Sequence, residues 1–129
     1  AWNGLVLGTS NKTEIWLGYG TLYGDAASAL NPLGDLYKTQ VRQLSRAMGV
    51  PASIIAKPPT ADLWAGQTDE GEIGFSYADL DRALYLLVDR GFTAPQARLY
   101  GLPGDLVDAV VRMMRTSAFK RRLPTIGKL

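Results

Sequence analysis

Apolar positions along the chain fall into one short unbroken run followed by a set of helix-spaced series. The run Leu5-Val6-Leu7 leads into Gly8 and reads as a strand that opens onto a polar turn. Asn11 and Glu14 then have the spacing of a capping box, which predicts a helix carrying Ile15, Trp16 and Tyr19 and ending near Gly18 to Gly20. Tyr37, Val41, Leu44 and Met48 recur at i, i+4, i+7 and i+11 and predict a second helix with one apolar stripe, stopped by Gly49 and Pro51. Ser76 and Asp79 repeat the capping pattern ahead of Leu80, Ala83, Leu84, Leu87 and Val88, a helical series that runs to Gly91. Thr93 caps a short helix to Tyr100, and Pro103 starts a last one in which Leu106, Val110, Met113 and Met114 share a face.

The segments between these series are polar or broken by glycine and proline. Thr21 to Gly34 holds Ala26, Ala27, Ser28 and Asn31-Pro32 and reads as a loop on the surface or over a site. Lys57 to Ser76 carries Pro58-Pro59, Gly66, Gly71 and Gly74 with Asp62, Asp69, Glu70 and Glu72, and predicts a mobile acidic loop with no regular element. A basic tail, Lys120-Arg121-Arg122-Leu123-Pro124, follows the last helix. A single short strand leaves its ladder groups unpaired, so the strand at Leu5 to Leu7 needs neighbours. Because Ala1 stands so close before it, the chain reads as a fragment whose other strands lie upstream.

Composition narrows the chemistry. At 129 residues, 47% hydrophobic and 20% charged, the chain is sized for one soluble globular unit with one core. Its 14 basic and 12 acidic residues leave a net charge of +2, too even to imply general affinity for nucleic acid. The chain has no cysteine and no histidine, which excludes disulfides, thiolate zinc sites, cysteine nucleophiles and imidazole bases supplied by these residues. No apolar run approaches the roughly 18 residues of a membrane span, so the expectation is a cytoplasmic protein with no membrane role. The strand, turn and helix around Gly8 to Glu14 would present free backbone N–H groups to an anion, which makes a nucleotide site the first hypothesis.

Several ordered motifs then point the same way. Gly8-Thr9-Ser10-Asn11-Lys12-Thr13-Glu14, Tyr23-Gly24-Asp25, Asn31 to Thr39, Lys57-Pro58-Pro59-Thr60-Ala61-Asp62-Leu63, Gln67-Thr68-Asp69-Glu70 and Phe119-Lys120-Arg121-Arg122 together resemble the carboxy-terminal half of NAD synthetases. That resemblance implies an α/β fold. The domain would be a doubly wound parallel sheet, Rossmann-like and of the adenine nucleotide alpha hydrolase type, of which residues 1–129 form the carboxy-terminal portion, mostly helical with a short parallel strand. It implies a ligase that uses ATP and Mg²⁺ to adenylylate deamido-NAD (nicotinic acid adenine dinucleotide), releases pyrophosphate, and lets ammonia displace AMP to give NAD. Such chemistry depends on positioning and charge neutralisation more than on protein acids and bases, so no catalytic residue is assigned. The family's Ser-Gly-Gly-x-Asp-Ser pyrophosphatase loop is absent from the sequence, which implies that this segment alone is inactive and works with an amino-terminal half, as a homodimer.

Residue by residue, the resemblance assigns Glu14 to magnesium, whereas local pattern alone favours its role in a capping box. Thr9, Lys38 and Thr60 match ATP contacts. Taken alone they would be a turn hydroxyl, a solvated lysine and a hydroxyl after stiff prolines. Lys38 in a first helical turn opposes the macrodipole, a placement that a bound polyphosphate would explain. Asp25, Glu72 and Lys120 match deamido-NAD contacts, against plainer readings as a turn aspartate, a solvated acidic loop and a helix-capping tail, and Phe119 is assigned beside Lys120 as a ring whose stacking would replace a hydrogen bond. Phe119 stands where histidine is usual in ammonia-dependent members, Leu22 where lysine is usual, and Ala29 where an acid is usual. Thr21 to Asp25 looks more like glutamine-dependent members, whereas Gln67 to Asp81 and the ending at 123–129 look like ammonia-dependent ones, which the balance favours. Two alternatives compete: another pyrophosphatase-loop amidating ligase such as a GMP synthetase, and a non-enzymatic helical module whose basic tail binds nucleic acid or a partner.

Overall fold

The computed structural model describes residues 3–122 and 126–127. Helix α1 spans Lys12–Leu17 and starts as its sequence dictates. The Asn11 side chain accepts the Glu14 N–H, and the Glu14 carboxylate accepts the Asn11 N–H, both at 3.0 Å. Gly18 ends it in the left-handed conformation, φ 71°. Helix α2 spans Lys38–Ala47, and a short helix α3, Ala52–Ala56, follows Pro51. Helix α4 spans Asp69–Ile73, α5 Tyr77–Leu84, α6 Ala94–Leu99 and α7 Gly104–Thr116, with a 3-10 turn at Ala118–Arg121.

Helix α5 is the hub, packed against α1, α2 and α7. Its Leu80, Ala83 and Leu84 are fully buried against Leu106, Val107 and Val110 of α7, with Ala97 of α6 and Leu17 of α1 closing the cluster. Burying side chains of this size contributes about 1.5–3 kcal/mol each, so the α5–α7 seam holds the fold together. The spacing read at Leu80 to Val88 continues past α5, but Tyr85–Asp89 winds as a π-helix, which shifts the face that Leu86, Leu87 and Val88 present.

Three expectations need correction. The apolar stripe of α2 is buried only at its start: Tyr37 is covered, whereas Leu44 and Met48 are 41% and 73% exposed. The acidic segment is not irregular throughout, because Thr68 caps α4 through the Gly71 N–H and Asp69 is buried. The parallel pairing expected of Leu5 to Leu7 appears as one bridge, Leu7 with Leu30. Two backbone bonds hold it, Gly8 N–H to the Leu30 carbonyl at 2.7 Å and Ala29 N–H to the Val6 carbonyl at 3.0 Å. Leu5, Val6, Leu7 and Leu30 all stay exposed, since no other strand lies beside them among the described residues. The ending at 123–125 and 128–129 lies outside the described residues.

Candidate active site

A cleft of about 870 Å³, within the usual range for ligand pockets, opens between the turn before α1, the polar face of α2 and the segment that leads into α4. Thr9, Ser10 and Glu14 form one side, and Lys38, Arg42 and Ser45 the opposite side. The latter three recur at i, i+4 and i+7, which aims one face of α2 into the cleft. Pro58, Pro59 and Thr60 with Leu63 and Trp64 make a third wall, and Gln67, Asp69 and Glu72 close the end.

Glu14 and Lys38 meet across this space. The Lys38 ammonium donates to Glu14 Oε1 at 2.8 Å and lies 5.1 Å from the centre of the Tyr77 ring. Glu14 Oε2 is the atom that completes the capping box, so the carboxylate serves both the local and the long-range role. The pair explains how a lysine is tolerated at the positive end of α2, because a carboxylate offsets the dipole there.

The acidic end is tied down by phenols. Tyr19 Oη lies 2.7 Å from Glu72 Oε2 and 3.1 Å from Asp69 Oδ1, and with one proton to give it donates to the nearer. Tyr77 Oη donates to Asp69 Oδ2 at 2.9 Å, and Gln67 Nε2 donates to Glu72 Oε1 at 2.8 Å. Burial, with hydrogen bonds to these carboxylates, pushes both phenols above their ordinary range, so they remain donors.

Of the residues singled out from sequence, Thr9, Glu14, Asp25, Lys38, Thr60, Glu72 and Lys120 all line the cleft. Phe119 does not, and it is 59% exposed. Asp25 also accepts the Thr21 N–H, as a turn aspartate does. Lys120 donates to the Gly18 and Gly20 carbonyls, both at 2.7 Å, and caps the end of α1. Arg121 stacks 4.7 Å from the centre of the Trp16 ring and donates to the Trp16 and Met114 carbonyls. Lys120 and Arg121 thus cap helix ends, and Lys120 does so from the wall of the cleft. Sequence reasoning missed Tyr19, Tyr77 and Trp64. Arg42 also went without a role, although its i+4 spacing from Lys38 places it on the same face.

No group of three or more acids that could hold a metal occurs among the described residues. Mg²⁺ binds through one or two carboxylates together with substrate phosphates, so Glu14 fits an ion that arrives with a polyphosphate.

A family profile described as NAD synthase matches residues 1–124. The NH₃-dependent NAD⁺ synthetase of Trichlorobacter lovleyi is 57% identical over 128 residues, covering 99% of this chain and 47% of that protein. The NH₃-dependent NAD⁺ synthetase of Fusobacterium nucleatum is 53% identical over 127 residues, 98% of this chain and 49% of that one. Among solved structures, the NMN synthetase of Francisella tularensis matches 99% of this chain and 48% of its own, with a TM-score of 0.82 at 33% identity. The NH₃-dependent NAD synthetase of Campylobacter jejuni matches 98% of this chain and 46% of its own, with a TM-score of 0.74 at 34% identity. The chain spans about half the length of the curated relatives it matches.

Proposed function

The chain belongs to the NAD synthase family, and on that premise we propose that residues 1–129 are the carboxy-terminal portion of a single synthetase domain. Its reaction is the ATP-dependent amidation of deamido-NAD to NAD, with ammonia as the nitrogen source. The observation that carries this reading is the Glu14–Lys38 pair set across one cleft, a carboxylate and an ammonium 2.8 Å apart with Thr9 and Thr60 on the same walls.

A carboxylate oxygen of deamido-NAD attacks the α-phosphorus of ATP, and pyrophosphate leaves. Ammonia then attacks the acyl carbon, and AMP leaves with the former carboxylate oxygen. Lys38 exchanges Glu14 for phosphate oxygens and neutralises charge as it moves onto pyrophosphate, with the Thr9 and Thr60 hydroxyls orienting the chain of phosphates. Glu14 would hold Mg²⁺, which when bound with the triphosphate further neutralises the leaving group. Asp25 and Glu72 face the dinucleotide, Lys120 reaches it by releasing its carbonyls, and Phe119 joins by turning inward. The family likeness further supports a cytoplasmic homodimer, and among the described residues no helix is long and apolar enough to cross a membrane.

The likeness to an NMN synthetase favours a second reading, amidation of the mononucleotide acid. The full protein that carries this chain decides between them when supplied with ATP, Mg²⁺, ammonium and either acid. NAD formed from the dinucleotide is the expected product. NMN without NAD would transfer the assignment to the second reading, and no AMP from either acid would sink both.

A further inference from the structure

A buried carboxylate on α5 lies behind the cleft and has no part in the chemistry outlined above. Asp81 is 5% exposed, between the fully buried Leu80 and Ala83. A carboxylate in such surroundings is costly unless its oxygens are bonded, and both are. Asp81 Oδ1 accepts the Thr13 hydroxyl at 2.5 Å, and Oδ2 accepts the Thr39 N–H at 2.8 Å. The Thr13 oxygen, its proton committed to Asp81, accepts the Lys38 N–H at 3.1 Å. The first two amides of α2 are therefore capped from α1 and α5 and not by the residue before them. Tyr37 at that position gives no side-chain cap, although serine, threonine, aspartate or asparagine there would serve the helix alone.

We infer that Asp81 is a positioning residue for Lys38: through Thr13 and Thr39 it fixes the first turn of α2 so that the Lys38 ammonium is held at the phosphate side of the cleft. Thr13 is the neighbour of Glu14 on α1, so one short stretch binds both the backbone and the side chain of Lys38. A lysine stem has several rotatable bonds, and anchoring its Cα to the helix that carries its partner removes much of the search. The carboxylate also lies at the positive end of α2, where the dipole favours it, and it adds to the Glu14 charge that already faces Lys38.

This inference rests on the phosphate role proposed for Lys38, and a double-mutant cycle separates the two. In the full protein, Asp81→Asn keeps the shape but turns one acceptor into a donor, and kcat should fall by about tenfold or more, the scale seen when groups that orient a ligand-contacting side chain are removed. In a Lys38→Ala background the same change should alter kcat by less than about twofold, because a residue that acts through Lys38 has nothing left to position. Equal factors in both backgrounds would overturn the inference and leave Asp81 a purely structural cap. An unchanged kcat in Lys38→Ala alone would overturn the phosphate role and the inference with it. Should Asp81→Asn fail to fold, Thr13→Val carries the same cycle, and Thr13→Ser, which keeps the hydroxyl, should restore the rate.

Discussion

Replacing Lys38 with alanine in the full protein should cut kcat for pyrophosphate release by about a hundred- to a thousandfold, the usual cost of removing one preorganised donor aimed at developing charge. The large effect follows from where the ammonium sits. The Lys38 side chain is only 21% exposed and meets Glu14 inside a cleft whose acids, Glu14, Asp69 and Glu72, would otherwise repel a triphosphate. Stability should change little by comparison, since Glu14 keeps its bond to the Asn11 N–H and the seam of α5 and α7 lies elsewhere. Steady-state rates and a thermal unfolding curve on the same preparation separate these outcomes. A rate within twofold of the parent would remove Lys38 from the phosphate site.

Gly18→Ala should destabilise the fold by about 3 kcal/mol or more, combining left-handed backbone strain with overpacking. Gly18 ends α1 at φ 71°, where only glycine is unstrained, and an added Cβ would fall inside the buried Ser117 side chain at the end of α7. The polypeptide cannot simply step aside. Lys120 grips the Gly18 carbonyl and Arg121 the Trp16 carbonyl, so separating the two helix ends unseats both caps at once. Gly49→Ala supplies the comparison, with φ 75° and nothing near its Cβ, and should cost only the strain. Denaturant unfolding of the two variants checks the difference. Equal losses would mean that the contact with Ser117 contributes nothing.

Local chemistry was legible where a cap or a periodic stripe declared itself. Asn11 with Glu14, Ser76 with the Asp79 N–H, and Gly18 as a helix end all occur as their residue types dictate. The cleft was legible through motif order: Thr9 with Glu14, Lys38 and Thr60 come from three separate stretches of sequence and face one space. Elements made by tertiary partners were not. Helix α4 reads Asp-Glu-Gly-Glu-Ile, a poor helix former, and it is held by hydroxyls from Tyr19 and Tyr77 and by Glu70 accepting the Tyr77 N–H. Helix α3 is too short to show a period. Asp81 looked like one polar letter in an apolar series, since the amides it serves lie about forty residues earlier. The capping of α1 by the basic tail was not legible either, because Lys120 and Arg121 donate there to carbonyls that lie far away in sequence and only meet them in the fold.

Crystals of the full protein grown with Mn²⁺ in place of Mg²⁺ and a non-hydrolysable ATP analogue give the most direct measurement. The manganese anomalous peak should lie within coordinating reach of the Glu14 carboxylate, with the Lys38 ammonium moved onto the phosphates. A peak in another part of the molecule, with Glu14 and Lys38 still paired, would contradict the assignment of this cleft to the nucleotide.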